Sequence, residues 1–345
     1  MLATTPLDEP PSSKMWTTRE DTQHMRVLAL VPGGISDQLL FFPTLEHIKQ
    51  ALPQAEVTVV TDPESVAAYR VSSLVKTVFP YNFAKSTSPA DWANLLGTIR
   101  DREFEVVLSA TRQGSLGLLL WLSGIPTRVG YGEGTNPLLM TATVPAKTDQ
   151  YQAFQYHDLL TPLELAGPCP SPTINVPQKD IDWVDFQTKQ QGIGDQGYVL
   201  IYAGPTDDAP AADYPVASWQ AIIEDFQARQ PGLPLVLVQQ PETAKTVKQL
   251  TQAQPHLKVL RPENIGQMAA LIAGANLMIA TDSYPLQLGV ALNVFTLALF
   301  GANSPERRLP PVEGSETRFV GMTASSGKVA DISADQVLKK VWGEG

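Results

Sequence analysis

The chain has 345 residues, 43% hydrophobic and 17% charged, with a net charge of −10, four histidines and one cysteine. That length exceeds one ordinary core and suits two domains, and the composition is far from that of disordered chains. The acid excess speaks against a general nucleic-acid binder, which carries a basic domain, and the scattered His and Cys give no metal-ligand spacing. Cys169, in Gly-Pro-Cys-Pro, has no partner within the chain, which favours a reducing compartment or indifference to redox. Residues 1–24 are polar and rich in Pro, Ser and Thr. They lack the apolar stretch of a secretory signal and read as a disordered extension. The most apolar segment, 116–125, is shorter than the roughly 20 residues that span a bilayer. The chain therefore reads as soluble, with peripheral membrane attachment left open.

Residues 26–32 (RVLALVP) form a continuous apolar run ending in Pro-Gly-Gly, the pattern of a parallel strand covered on both faces. A helix follows to residue 52, with Ser36 as N-cap, Asp37 in the first turn and Pro43 as an internal kink. Strands are expected at 56–60, 75–79, 105–108 and 127–130, and helices at 91–102 and 115–122. Residues 133–150 read as loop, 151–165 as helix, and 167–177 as a linker with four prolines, which marks a domain boundary. After a helix at 180–191 the alternation restarts. Strands are expected at 198–202, 235–238, 259–260, 277–280 and 294–299. Helices are expected at 219–229, 243–252, 265–272, from Pro285 onward, and at 334–342. Strands alternating with helices imply parallel sheets. The whole reads as two Rossmann-like doubly wound α/β lobes, 25–177 and 178–345, facing a cleft. Trp92, Trp121, Trp183 and Trp219 fall at helical spacings and read as core or partly buried packing.

Ligands in such sheets bind beyond strand C-termini, which singles out three turns. In Gly33-Gly34-Ile35-Ser36-Asp37 an acid occupies the first helical turn, where it would repel a phosphate, and no G-x-G-x-x-G is present. A dinucleotide loop, and with it a dehydrogenase, is therefore disfavoured. Asp37 is either a general base at the cleft or a complement to the helix dipole, worth about 0.3–1 kcal/mol. Asp282-Ser283-Tyr284-Pro285 is either a diphosphate site built on a helix N-terminus or an ordinary strand–turn–helix with Asp282 as a structural acceptor. Gly204-Pro205-Thr206 can add donors to the same ligand or merely connect. Gln287 reads as a ligand contact or a polar face residue, and Arg307-Arg308 as a phosphate clamp or, more commonly, solvated surface.

Taken together, SDQLLFFPTLEHIK, PQAEVTVV, Arg128-Val129-Gly130, Tyr156-His157-Asp158 and AGANLMIATDSYPLQLGVALNVFTLALFGANSPER resemble, in order, the motifs of glycosyltransferase family 9, the heptosyltransferase-like enzymes of lipopolysaccharide core assembly. The resemblance covers nearly all of residues 25–340. It implies the GT-B fold, with the acceptor on the N-terminal lobe and the donor on the C-terminal lobe. It further implies inverting transfer of a heptose-like sugar from a nucleotide-sugar, ADP-linked in the family, to a glycan or glycolipid, with no obligatory metal or other cofactor. A bacterial, cytoplasmic protein is expected, with contact to the inner membrane left open and no nucleic-acid partner. By position Asp37 matches the catalytic base. Thr206, Asp282, Ser283, Tyr284 and Gln287 match the donor and phosphate site, and Gly34, Ser36 and Arg112 stand on the acceptor side.

Four positions depart from the family pattern. Ser36 stands where Gly is usual before the catalytic Asp, Tyr284 where Gly follows Asp-Ser, and Gln287 where the family has His. Ala212-Asp213-Tyr214-Pro215 stands where a basic residue precedes Trp-Pro, so the basic group that balances a leaving diphosphate is expected to be missing. A bulky Tyr284 would obstruct close backbone approach to a diphosphate. These departures carry a second reading, a family member without catalysis that acts as a binding or assembly subunit with protein partners.

Overall fold

A computed structural model describes residues 25–83, 88–134, 136–165, 167–194, 196–208, 213–311 and 318–343. The extension expected at 1–24, and Ala212, lie outside these residues. The first half runs β1 (Arg26–Val31), α1 (Ile35–Ala51), β2 (Glu56–Thr61), β3 (Thr77–Pro80), α2 (Pro89–Arg100), β4 (Val106–Ser109), α3 (Gly114–Ser123), β5 (Thr127–Tyr131), α4 (Asn136–Leu139), β6 (Ala142–Val144) and α5 (Gln152–His157). The second runs α6 (Gln178–Gln190), β7 (Val199–Tyr202), α7 (Val216–Arg229), β8 (Leu235–Val238), α8 (Ala244–Ala253), β9 (Lys258–Leu260), α9 (Ile265–Ala273), β10 (Leu277–Thr281), α10 (Tyr284–Ala291), β11 (Thr296–Leu299), α11 (Pro305–Arg308), β12 (Phe319–Met322) and α12 (Ala334–Trp342).

Each half builds one six-stranded parallel sheet, ordered β3-β2-β1-β4-β5-β6 and β12-β11-β10-β7-β8-β9. Read from their own first strands, both follow the doubly wound order 3-2-1-4-5-6. The order reverses between β1 and β4 in one lobe and between β7 and β10 in the other. The turns after β1, β7 and β10 therefore lie at these switch points. The strands are mainly apolar because both faces are covered: Val27, Ala29 and Val31 of β1 enter one core while Leu28 and Leu30 enter another. The first of these cores crosses between lobes, joining Leu39, Leu40 and Phe41 of α1 to Met268 and Leu271 of α9 and Leu288 of α10.

Several local expectations change. The segment read as loop contains α4 and β6, the latter pairing with β5 as a sixth strand; three residues are too few for a periodic signal. The edge strand β12 escapes for the same reason. The helix expected at 151–165 ends as α5 and tightens into a 3₁₀ helix over Asp158–Leu163, which contains Pro162 and is closed by Glu164 at φ 55. Proline supplies no N–H to continue an α-helix. Ser36 is not the N-cap of α1: Gly34 is, and the Ser36 side chain points elsewhere. Trp219 is fully buried, but Trp121 is 52% exposed, against the expectation of packing.

A second tie between the halves runs through Arg70, in the 3₁₀ helix Pro63–Val71. Its guanidinium donates to both carboxylate oxygens of Asp180 on α6, at 2.8 and 2.9 Å from Nη2. Asp180 is 2% exposed. A Cβ on Gly266, in the first turn of α9, would sit 2.1 Å from Asp180 Oδ2, so the missing side chain makes room for this pair. Arg70→Ala strands a buried carboxylate and should cost roughly 2–3 kcal/mol, read from urea unfolding. The paired Arg70→Met, Asp180→Leu replacement should cost less, and equal losses in both proteins would remove the ion pair as the cause.

Candidate functional site

The turn after β1 is built to hold one carboxylate. Gly33 adopts φ 106, a conformation open mainly to glycine. A Cβ there would lie 2.3 Å from Asp37 Oδ2. Gly33 N donates to Asp62 Oδ2 at 2.9 Å and Gly34 N to Asp37 Oδ2 at 2.9 Å. The other oxygen, Asp37 Oδ1, accepts from Gln152 Nε2 at 2.7 Å and from the Tyr156 hydroxyl at 3.2 Å, both on α5. Asp37 is half-buried. Burial, and next the charge of Asp37, push the Tyr156 hydroxyl well above its ordinary pKa, so it remains a proton donor to the carboxylate.

The segments after β7, β10 and β11 bring three more charges to the same place. Arg308, read from the sequence as a phosphate clamp or, more commonly, solvated surface, is 6% exposed. Its Nε donates to Asp282 Oδ1 at 3.1 Å, Nη2 to Asp207 Oδ2 at 2.9 Å and Nη1 to Gln152 Oε1 at 3.2 Å. Asp282 is fully buried and takes a further bond from Asn303 Nδ2 at 2.8 Å. Ser36, from the opposite lobe, donates its hydroxyl to Asp207 Oδ2. Burial opposes the Arg308 charge, but Asp282, Asp37 and Asp207 outweigh it and raise its pKa further. A buried cation that the sequence reading did not place thus stands in this cluster, on α11, and is already shared among protein acids. Its signal in the sequence was indirect: Asp207, Asp208 and Asp282 at strand ends demanded a counter-charge.

The other expected site residues are placed as follows. Ser283 is the N-cap of α10, but its hydroxyl turns back to the Thr281 carbonyl at 3.1 Å. Gln287 does not enter the cleft; it is buried and donates to the Arg308 carbonyl at 3.0 Å, which fixes the loop carrying Arg308. Thr206 is buried beside Asp208. Burial works against the Asp208 charge, but the donors around it, among them the Asn303 N–H at 2.8 Å, more than offset this and hold its carboxyl below the usual range. Arg112 stands apart from the cluster, half-exposed, paired with Glu133 at 3.2 Å and lying over the Tyr131 ring at 5.7 Å.

Tyr284 lies across the strand ends of the C-terminal lobe. Its hydroxyl donates to Gln240 Oε1 at 2.6 Å, beyond β8, and its ring meets Tyr202 edge-on at 6.4 Å. The Tyr202 hydroxyl donates to Glu242 Oε1 at 3.0 Å. Two aromatic rings and an acid thus lie together at the C-terminal ends of β7 and β8, beside the switch point. Beyond Arg308, a cavity of about 810 Å³ opens between Gln150, Tyr151 and Phe154 of one lobe and Asn303, Ser304 and Phe319 of the other.

Asp207 is crowded by protein atoms although 40% of its side chain reaches solvent. Burial is the main cause that raises its pKa to about 6; Asp282 and Asp37 add to this, while Ser36 and Arg308 oppose it. An unfolded Asp titrates near 3.9, so between about pH 4 and 6 the native state holds more protons and the contribution of this group to stability falls as pH rises. Asp207→Asn carries no charge at any pH. Its melting temperature relative to the parent should therefore climb from pH 4 to 6 and then level, and a gap independent of pH would refute the assignment. Arg308→Ala leaves Asp282 buried without a cation and should cost about 3–5 kcal/mol in chemical denaturation; a loss below about 1 kcal/mol, the range of a surface pair, would contradict its central place.

Comparison with known proteins fits this architecture. Among curated proteins, the chain is 22% identical to photosynthetic NDH subunit of subcomplex B 1, chloroplastic, of Arabidopsis thaliana, over 90% of this chain and 72% of that protein. It is also 22% identical to lipopolysaccharide heptosyltransferase 3 of Escherichia coli, over 77% of this chain and 80% of that one. The solved structure of the glycosyl transferase family 9 from Veillonella parvula superposes with a TM-score of 0.80 at 16% identity, covering 93% and 97% of the two chains. The two facing Rossmann-like lobes are the GT-B fold. The family model for glycosyltransferase family 9 (heptosyltransferase) matches residues 92–338, and with most of its length inside that match the chain belongs to this family.

Proposed function

We propose that this family member acts as a binding or assembly subunit with a cleft latched shut from within, and not as a turnover catalyst. The observation that carries this is the Arg308 network. The acid that the family resemblance makes the base, Asp37, accepts three protein donors. The acid at the donor helix, Asp282, is fully buried against Arg308 and Asn303. A nucleoside diphosphate entering here would meet Asp207, Asp282 and Glu242 with the nearest guanidinium already paired. Like charges in a partly desolvated cleft are costly. It would also have to displace Tyr284 from Gln240 and Tyr202. The relative named as a subunit of a photosynthetic complex aligns with more of this chain than the heptosyltransferase does, which supports the same reading. The partners are then neighbouring protein chains.

A second reading, sugar transfer, is favoured by two observations: Asp37 remains half-buried rather than sealed, and the 810 Å³ cavity adjoins Asn303 between the lobes. In that reading the lobes part and Arg308 turns from Asp207 to the leaving group. Asp37 takes the proton of an acceptor hydroxyl as its oxygen attacks the anomeric carbon. The nucleoside diphosphate departs with the bonding pair, with inversion and without a metal.

Titration calorimetry with ADP-, GDP- and UDP-sugars separates the two. The subunit reading expects no saturable heat from any of them, together with migration of the native chain far above its own 37.4 kDa. Saturable binding, with turnover lost and binding kept in Asp37→Asn, would establish the transferase instead.

A further inference from the structure

On the outer face of the N-terminal lobe, α3 reads GSLGLLLWLS and carries no ionisable residue. Leu116, Leu119 and Leu120 turn into the core, at 2%, 0% and 0% exposure. A helix at the surface of a lobe normally turns polar side chains outward, and one that is apolar all round is normally covered. Here Leu118 and Trp121, three residues apart and so on one face, are 43% and 52% exposed. The neighbouring helix extends the surface. Gly117 lets α4 lie close, since a Cβ there would come within 2.9 Å of Asn136 Oδ1 and 3.1 Å of Leu139 Cδ1. Next to this contact Leu138 is 85% exposed.

We infer that this α3–α4 face is the docking surface for a partner protein that presents an apolar, uncharged face of its own; the inference rests on the subunit reading. Leu118, Trp121 and Leu138 together leave on the order of 400 Å² of apolar side chain in the open, at the size where exposed patches mark interaction sites. That is about half of one side of a standard protein interface, the share expected of the central anchors, among which Trp is enriched. The rim is polar, and its arginines are held by protein acceptors. Arg112 is paired with Glu133, the Arg100 guanidinium is bound to the Leu122 carbonyl at 2.7 Å, and the Trp92 indole N–H points to the Ser115 carbonyl.

Charge selects a protein over a bilayer. A helix seated on a membrane surface sets Lys and Arg beside its apolar face. Neither α3 nor α4 has one, the flanking Arg100, Arg112 and Arg128 are held by the Leu122 carbonyl, by Glu133, and by the Leu139 and Ile125 carbonyls, and the net charge of −10 opposes an anionic leaflet. Among the described residues the other large exposed apolar side chains form no such group: Phe295 lies under the Arg318 guanidinium at 4.9 Å, and Phe186 stands on a different helix, α6.

The test uses the full chain in its own cells, with p-benzoylphenylalanine in place of Trp121. Irradiation should give one adduct to a different protein, identified by mass spectrometry. Leu118→Glu with Leu138→Glu should reduce it at least tenfold and move the chain from high-mass to monomer mobility on native gels, while the melting temperature of the purified variant stays unchanged. An adduct of the chain with itself, or an adduct insensitive to the substitutions, would overturn the assignment. So would co-sedimentation with phosphatidylglycerol vesicles that the substitutions abolish. If the substituted chain stays in a high-mass assembly, the surface is wrong and the subunit reading survives; if the parent chain runs only as a monomer, both fall.

Discussion

The structure turns on one interaction set, that of the buried cation Arg308. Burying a guanidinium carries a desolvation cost of several kcal/mol, offset only when its donors are met by well-placed acceptors. Arg308 meets this condition with Asp282, Asp207 and Gln152. Each of these is held in turn: Asp282 by Asn303, Asp207 by Ser36, and Gln152 through the carboxylate of Asp37. Since Ser36, Asp37 and Gln152 belong to one lobe and the others to its partner, satisfying Arg308 also fixes the two lobes against each other. A further consequence is that the acids in the cleft are acceptors for the protein before they are acceptors for anything else.

Topology explains why so many charges meet in one place. Both sheets have the same strand order, so each has one reversal point at which turns diverge and leave backbone groups uncovered. The apolar contact of α1 with α10, inside a core shared by both lobes, sets those reversal points face to face. In an enzyme such a place is kept short of internal partners so that a ligand can supply them. Here Tyr284, Gln240, Tyr202 and Glu242 complete one another across the strand ends.

Much of this was legible in the sequence, and what was not has physical causes. The central strands announced themselves because burial on both faces forces continuous apolar runs. β6 and β12, at sheet edges and only three and four residues long, carry too little pattern to separate from loop. Tyr284 was readable as a departure because it stands where the motif has a glycine. Arg308 was not, because its burial depends on acids 26 and 101 positions away in the chain, and a pair of arginines in a loop looks solvated until those acids are placed. Trp121 misled for the opposite reason. Helical spacing identifies an apolar face but cannot say whether anything in the same chain covers it.

These two misreadings point in one direction. A side chain expected in solvent is buried at the cleft, and one expected in the core stands in the open on the outer face. Stability and function commonly oppose each other at a working site, where groups left unsatisfied for a ligand cost folding free energy. In this chain the cleft acids are paired within the protein, although the buried Thr206 and Tyr151 hydroxyls there lack a hydrogen-bond partner, and on the outer face an apolar helix, α3, is left without cover beside α4. A catalyst concentrates its unmet interactions at the reacting atoms. A subunit concentrates them on the surface by which it is held, and Leu118, Trp121 and Leu138 are placed as the second kind of protein would place them.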